Sequence, residues 1–207
     1  MNVAHVDELD RVELPEGFAW RPVRRHFDIR AFGVNAYTPG ATGRVIEEHT
    51  ERLGQEEIYL VLRGRVRFTL GDDEQELGAG QLVHVGDPAH RRGAVAVTDD
   101  AAVLAIGGTP GEPFEISTWE YVFPAFPLLA ACRHEEAKQV LLEALEQRPG
   151  SAQVLYNLAC AEAPLGESEA ALGHLNAAVD ADEVFRGPAQ TDPDLESLRS
   201  LEGFPAA

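Results

Sequence analysis

The spacing of apolar residues changes period near Thr118, and one layer of secondary structure cannot bury both patterns. Before that point the apolar runs are short, β-branched or aromatic, and punctuated by glycine. Phe27–Tyr37, Arg44–His49, Glu57–Leu62, Arg65–Leu70, Gln81–Val85, Ala94–Thr98 and Ala102–Ile106 are each predicted as strands. Gly71-Asp72-Asp73 and Leu77–Gly80 are predicted as turns. Strands this short and evenly spaced, with no helical pattern between them, fold into a sandwich or barrel. Along Glu57–Leu62, Glu57, Tyr59 and Val61 share one face and Ile58, Leu60 and Leu62 the other. Both faces are largely apolar, so this strand is expected to be covered on both sides.

After Thr118 the pattern is helical, rich in alanine, and repeats. A shift of 34 residues superposes Ala125 on Ala159, Cys132 on Gly166, Ala137 on Ala171, Leu141 on Leu175 and Ala144 on Ala178. Small residues at recurring places let helices approach closely while the leucines fill the space between them. That period is the signature of tetratricopeptide-type helix pairs, and Leu155–Cys160 followed by Gly166 and Ala171 resembles a repeat of that family. Pro124 and Pro127 require the first helix of the first repeat to start late or bend. Thr191-Asp192-Pro193-Asp194 opens a further, capping helix. Trp119, Tyr121 and Phe123 either form a seam with the preceding domain or the core of the first repeat. The predicted organisation is therefore α+β: residues 1–117 a β-barrel, residues 118–207 helical repeats with a cap.

The stretch Gly43–Gly64 resembles the first signature of the cupin family, a glycine-bounded segment carrying two histidines and a glutamate. The family's first histidine matches His49 and its glutamate matches Glu57. Its second histidine is replaced by Glu51, and the gap from there to Glu57 is one residue longer than in the family. In the looser second signature, starting at Gly80, the histidine position falls on Arg91, with His90 adjacent. The resemblance, over residues 20–108, implies a cupin-type β-barrel of jelly-roll topology. It also implies a divalent metal held by inward-pointing side chains, here His49, Glu51, Glu57 and His90. One imidazole nitrogen with carboxylate oxygens suits manganese, iron or zinc. Arg91 in place of a ligand would repel a cation, so a barrel without metal, in which Arg91 or Arg92 meets a buried carboxylate or an acidic ligand, is the equal alternative. Asn35 and Tyr37 alternate on an early strand and are candidates to line the cavity with Arg91. His84 could face the pocket or solvent. His134 and His174 lie on helices, where exposure is the default.

The balance of 35 acidic against 17 basic residues, net −18, argues against a nucleic-acid partner. No run approaches the ~20 apolar residues that span a bilayer. Cys132 and Cys160 are not paired in a CxxC and are expected as buried thiols. Met1–Pro15 does not resemble a signal peptide, so a cytoplasmic location is expected.

These features predict a binding protein rather than an identifiable catalyst. The barrel would hold a small molecule, the repeats would present a surface to a protein or peptide, and the barrel could pair as a homodimer. The alternative is a metal-dependent cupin enzyme, a dioxygenase or isomerase, with His49 and Glu57 as ligands.

Overall fold

A computed structural model describes residues 1–51 and 54–206. The chain divides into two units, Met1–Ile116 and Ser117–Ala207.

The first unit is built from ten strands: β1 (Val12–Glu13), β2 (Phe18–Arg21), β3 (Gly33–Pro39), β4 (Arg44–His49), β5 (Glu56–Arg63), β6 (Arg65–Leu70), β7 (Asp73–Gly78), β8 (Leu82–Val85), β9 (Arg92–Ala96) and β10 (Ala102–Gly108). They form a six-stranded sheet in the order β1-β2-β3-β10-β5-β8 and a four-stranded sheet in the order β4-β9-β6-β7. All described pairs are antiparallel. From β3 to β10 each connection crosses between the sheets except the β6–β7 hairpin, in jelly-roll order. One core lies between the sheets, with Tyr59, Val61, Val85 and Val103 from one side and Val45, Val66, Phe68 and Leu77 from the other.

Several expectations are corrected here. The strands do not close into a barrel: among the described residues no ladder joins the two sheets. Each sheet ends in strands poorly suited to further pairing, namely two-residue β1, four-residue β8, irregular β4 and acidic β7. The turns expected at 71–73 and 77–80 are present at 71–72 and 79–80, but residues 73–78 between them form a strand that the sequence pattern did not indicate. Its acidic side chains face a basic neighbour, with Glu76 2.5 Å from Arg65 and Glu74 3.4 Å from Arg67, so cross-strand pairing overrides weak β-propensity. Finally, β5 is not fully covered, since Ile58 on its outer face is 40% exposed. The predicted Phe27–Tyr37 strand begins only at Gly33, after the short helix α1 (Val23–His26).

Gly64, in the tight β5–β6 connection, has φ of +65°. A Cβ there would lie 2.7 Å from the Ala101 Cα and 2.6 Å from the Thr98 hydroxyl oxygen. Only glycine meets both demands without displacement.

The second unit contains α2 (Trp119–Val122), α3 (Phe126–Ala130), α4 (His134–Gln147), α5 (Ala152–Glu162), α6 (Ser168–Ala181) and α7 (Arg186–Ala189). As Pro124 and Pro127 require, the first helical stretch is broken: a 3₁₀ turn, Phe123–Ala125, separates α2 from α3. Helices α4 and α6 are both 14 residues long and start 34 positions apart. The turns before them match as well, with left-handed backbone at Cys132 and at Gly166. The N–H of Arg133 bonds the Leu128 carbonyl as that of Glu167 bonds the Glu162 carbonyl. Ala125, Ala159, Ala137, Ala171, Leu141, Leu175, Ala144 and Ala178 are all buried. The segment after Asp192 is a 3₁₀ helix, Pro193–Leu198, rather than an α-helix, and it closes the second cluster with Leu195 and Leu198.

Cys160 is buried, but Cys132 is exposed at its turn, contrary to expectation. Among the described residues no helix is long and apolar enough to cross a membrane.

Candidate metal centre

His49 ends β4, and two register shifts in the β4–β9 ladder bring it opposite Arg92 at the start of β9. Such irregularities re-aim side chains. The His49 Nδ1 lies 2.8 Å from the Glu47 carbonyl oxygen. A carbonyl only accepts, so Nδ1 carries the proton and Nε2 presents its lone pair, 3.9 Å from Oε1 of Glu51. Glu51 lies just beyond the strand, where its backbone N–H donates to the Pro88 carbonyl at 3.0 Å. Glu57, near the start of β5, projects inward on the face it shares with Tyr59. One potential ligand atom from each of His49, Glu51 and Glu57 lies within 4.8 Å of the others.

Glu57 is itself held. Its Oε2 accepts from the Tyr59 hydroxyl at 2.7 Å and from Arg92 Nε and Nη2 at 3.0 and 2.5 Å. The Arg92 side chain is 0% exposed and that of Glu57 is 12% exposed. The remaining guanidinium nitrogen, Nη1, donates to the carbonyls of Pro88 and His90 at 3.0 and 3.1 Å. Burial would lower the Arg92 pKa, but hydrogen bonding to Tyr59 and Glu57 outweighs it and raises it. Burial, reinforced by the charge of Glu57, pushes the Tyr59 phenol well above its ordinary range.

The other predicted site residues lie elsewhere. Arg91 is exposed and pairs with Glu48 at 2.7 Å; the inward arginine is its neighbour Arg92. The His90 ring is also exposed, 3.9 Å from Asp87, and His90 reaches the network only through its carbonyl. Both residues occupy the turn before β9, so strand alternation begins one residue later than the family spacing implies. Asn35 and Tyr37 do face inward, opposite Ala105 and Val103. Tyr37 packs on the core and on Phe18, four residues, or about 13 Å, along the sheet from the level of Glu57. His84 is exposed beside Glu56.

Between the sheets the space beyond Glu57 is filled by Tyr59 and Phe68, with ring centroids 5.2 Å apart. An open depression of about 320 Å³ lies beside Glu57 at the sheet end, bordered by Phe32, Ile58, His84 and Ile106. Tyr59 is not among the residues the sequence singled out, whereas Arg92 is one of the two arginines expected to meet a buried carboxylate, and it meets Glu57. Period-two alternation from Glu57 already puts Tyr59 on the inward face, whereas the inward turn of Arg92 depends on the shape of the 86–91 turn.

The donor set fits a divalent cation: one imidazole nitrogen with its second nitrogen fixed by a carbonyl, and two carboxylates, that of Glu57 anchored from behind by Tyr59 and Arg92. Two carboxylates against one guanidinium leave net negative charge at the cluster. In the second unit, Cys160, Asp192 and Asp194 also converge within 4.8 Å. There Asp192 is engaged as a helix cap and accepts from the Tyr156 hydroxyl at 2.9 Å. That arrangement ties the 3₁₀ segment to α5.

No family model and no curated protein matches the sequence. Solved structures similar to it include KdgF from a Halomonas species, 20% identical over 49% of this chain and 88% of that one, with a TM-score of 0.42. A cupin-superfamily sugar phosphate isomerase from Silicibacter pomeroyi is 20% identical over 51% of this chain and 74% of that one, TM-score 0.40. The polyketide cyclase RemF from Streptomyces resistomycificus is 16% identical over 56% of this chain and 87% of that one, TM-score 0.42.

Proposed function

We propose that the jelly-roll unit is a cupin-type, metal-assisted site for a small polar molecule, of the isomerase or dioxygenase class, with His49, Glu51 and Glu57 as protein ligands. The observation that carries this reading is the convergence of those three side chains to within 4.8 Å. Three protein donors leave positions open for substrate or water, as catalytic sites require. A manganese, iron or zinc ion held there would supply Lewis acidity to a bound oxygen. The chain's own part is to orient the donors: the Glu47 carbonyl fixes His49, the Pro88 carbonyl fixes Glu51, and Tyr59 with Arg92 fix Glu57.

A second reading is favoured by the buried Arg92–Glu57 pair, which already satisfies one ligand: a jelly roll that binds a small molecule without metal. In both readings the helical unit acts as a tetratricopeptide-type module for a protein or peptide partner, supported by the 34-residue recurrence of α4 and α6. A cytoplasmic setting and pairing of two jelly rolls belong to the same proposal.

The test is metal content. The full chain purified without added ions, then titrated with manganese, iron(II) and zinc, should hold about one ion per chain, and His49→Ala should lose it. A wild-type chain that binds none of the three removes the enzymatic reading and leaves the metal-free one.

A further inference from the structure

We propose that Arg92 is a built-in competitor for the cation: its charge holds the affinity of the His49–Glu51–Glu57 site down, so that metal binds reversibly rather than as a fixed structural ion. This rests on the reading that the site takes a divalent metal.

Arg92 is placed to do this. Its side chain is fully buried, and Nε, Nη1 and Nη2 are all engaged, with Glu57 on one side and the carbonyls of Pro88 and His90 on the other. It is therefore not a group that reaches out to grip an incoming ligand. Its charge is permanent, because guanidinium does not deprotonate in proteins.

Arg92 has two opposing effects on a cation. It orients Glu57, which favours binding, and it places a positive charge on the same carboxylate, which opposes binding. The orienting role is duplicated, because the Tyr59 hydroxyl donates to the same Oε2 at 2.7 Å. Among the described residues, the hydrogen bonds and ion pairs of Glu57 involve no cation other than Arg92. Removing Arg92 thus leaves Glu57 tethered while returning its full negative charge to the site, and the electrostatic effect wins in a partly desolvated setting. The Pro88 carbonyl also receives the Glu51 N–H, so Glu51 keeps its own backbone anchor when the guanidinium is gone.

An arginine that only oriented its neighbour would behave oppositely, since loss of an outer partner ordinarily costs about 10–100-fold in metal affinity. The experiment is calorimetric titration of the full-length protein with manganese and zinc, with chelator competition for tight binding. It compares wild type, Arg92→Met, Arg92→Gln and the charge-keeping Arg92→Lys. With one charge repulsion relieved, the neutral variants should bind about tenfold more tightly than wild type, and Arg92→Lys within about threefold of it. Metal should also raise the melting temperature of the neutral variants more than that of wild type, because it replaces the lost partner of Glu57.

Unchanged or weaker binding by a folded neutral variant overturns the inference, as does a gain in Arg92→Lys equal to that of Arg92→Gln. If Arg92→Met fails to fold, Arg92→Gln decides by the same criterion. If only the neutral variants bind metal, the inference stands and the proposed function of the native site falls. If wild type and variants alike bind none, both fall.

Discussion

The His174 Nδ1 on α6 lies 2.7 Å from Oε2 of Glu162 on α5, whose side chain is 3% exposed. This contact ties the two helices through a carboxylate that has left water, so its partner matters more than a surface pair would. His174→Ala should destabilise the helical unit by about 1–3 kcal/mol, the cost of stranding a buried acceptor. Glu162→Gln should cost less, because the amide oxygen still accepts from Nδ1. Urea unfolding followed by circular dichroism at the helix band checks both, and equal losses in the two variants would contradict the pairing.

Gly64→Ala should destabilise the jelly-roll unit by about 1–3 kcal/mol, from left-handed backbone strain combined with a close approach to Ala101. Gly43 also has positive φ, but a Cβ there meets nothing within 4 Å, so Gly43→Ala should cost less. Thermal unfolding of the two variants side by side would show the difference.

The two thiols should separate cleanly under a maleimide or disulfide reagent. Cys132 is exposed and should react in the native protein. Cys160 is buried, and burial together with Asp192 and Asp194 pushes its thiol well above its ordinary range, so it should react only on unfolding. Two equivalents titrated from the native chain would contradict this packing.

Burial, with the charge of Asp192 beside it, raises the Asp194 carboxyl above its ordinary value of 3.8, and His134 only partly opposes this. A folded pKa above the unfolded one means that the folded state binds the proton more tightly. Ionised Asp194 therefore weighs against the helical unit at neutral pH, and its protonation favours the fold as pH drops through the raised value. Asp194→Asn should raise the unfolding midpoint at pH 7, and the gain should shrink as pH approaches 3.8. A gain that persists undiminished at acid pH would have another cause.

Leu175→Ala and Leu141→Ala, equivalent positions 34 residues apart and both fully buried, should each cost about 2–5 kcal/mol. The helical signal in circular dichroism against denaturant reports it. A near-neutral effect at either position would mean that the recurrence does not carry equivalent packing.

The change of period at Thr118, the strands carrying Val61, Phe68 and Val103, and the 34-residue recurrence of α4 and α6 were all legible in order along the chain, because backbone periodicity imposes them locally. So were His49, Glu51 and Glu57 as candidate ligands, since their chemistry and spacing are local. Tertiary structure alone decided the rest. Acidic β7 became a strand only because β6 offered arginines across the ladder, and His174 is half-buried rather than exposed because Glu162 on another helix came within reach. The arginine that turns inward is Arg92 rather than Arg91, because the 86–91 turn sets where strand alternation restarts. A pattern of period two or 3.6 says which residues share a face. It does not say which distant backbone or charge that face will meet, and at this site that partner determines whether Glu57 answers to an arginine or to a metal.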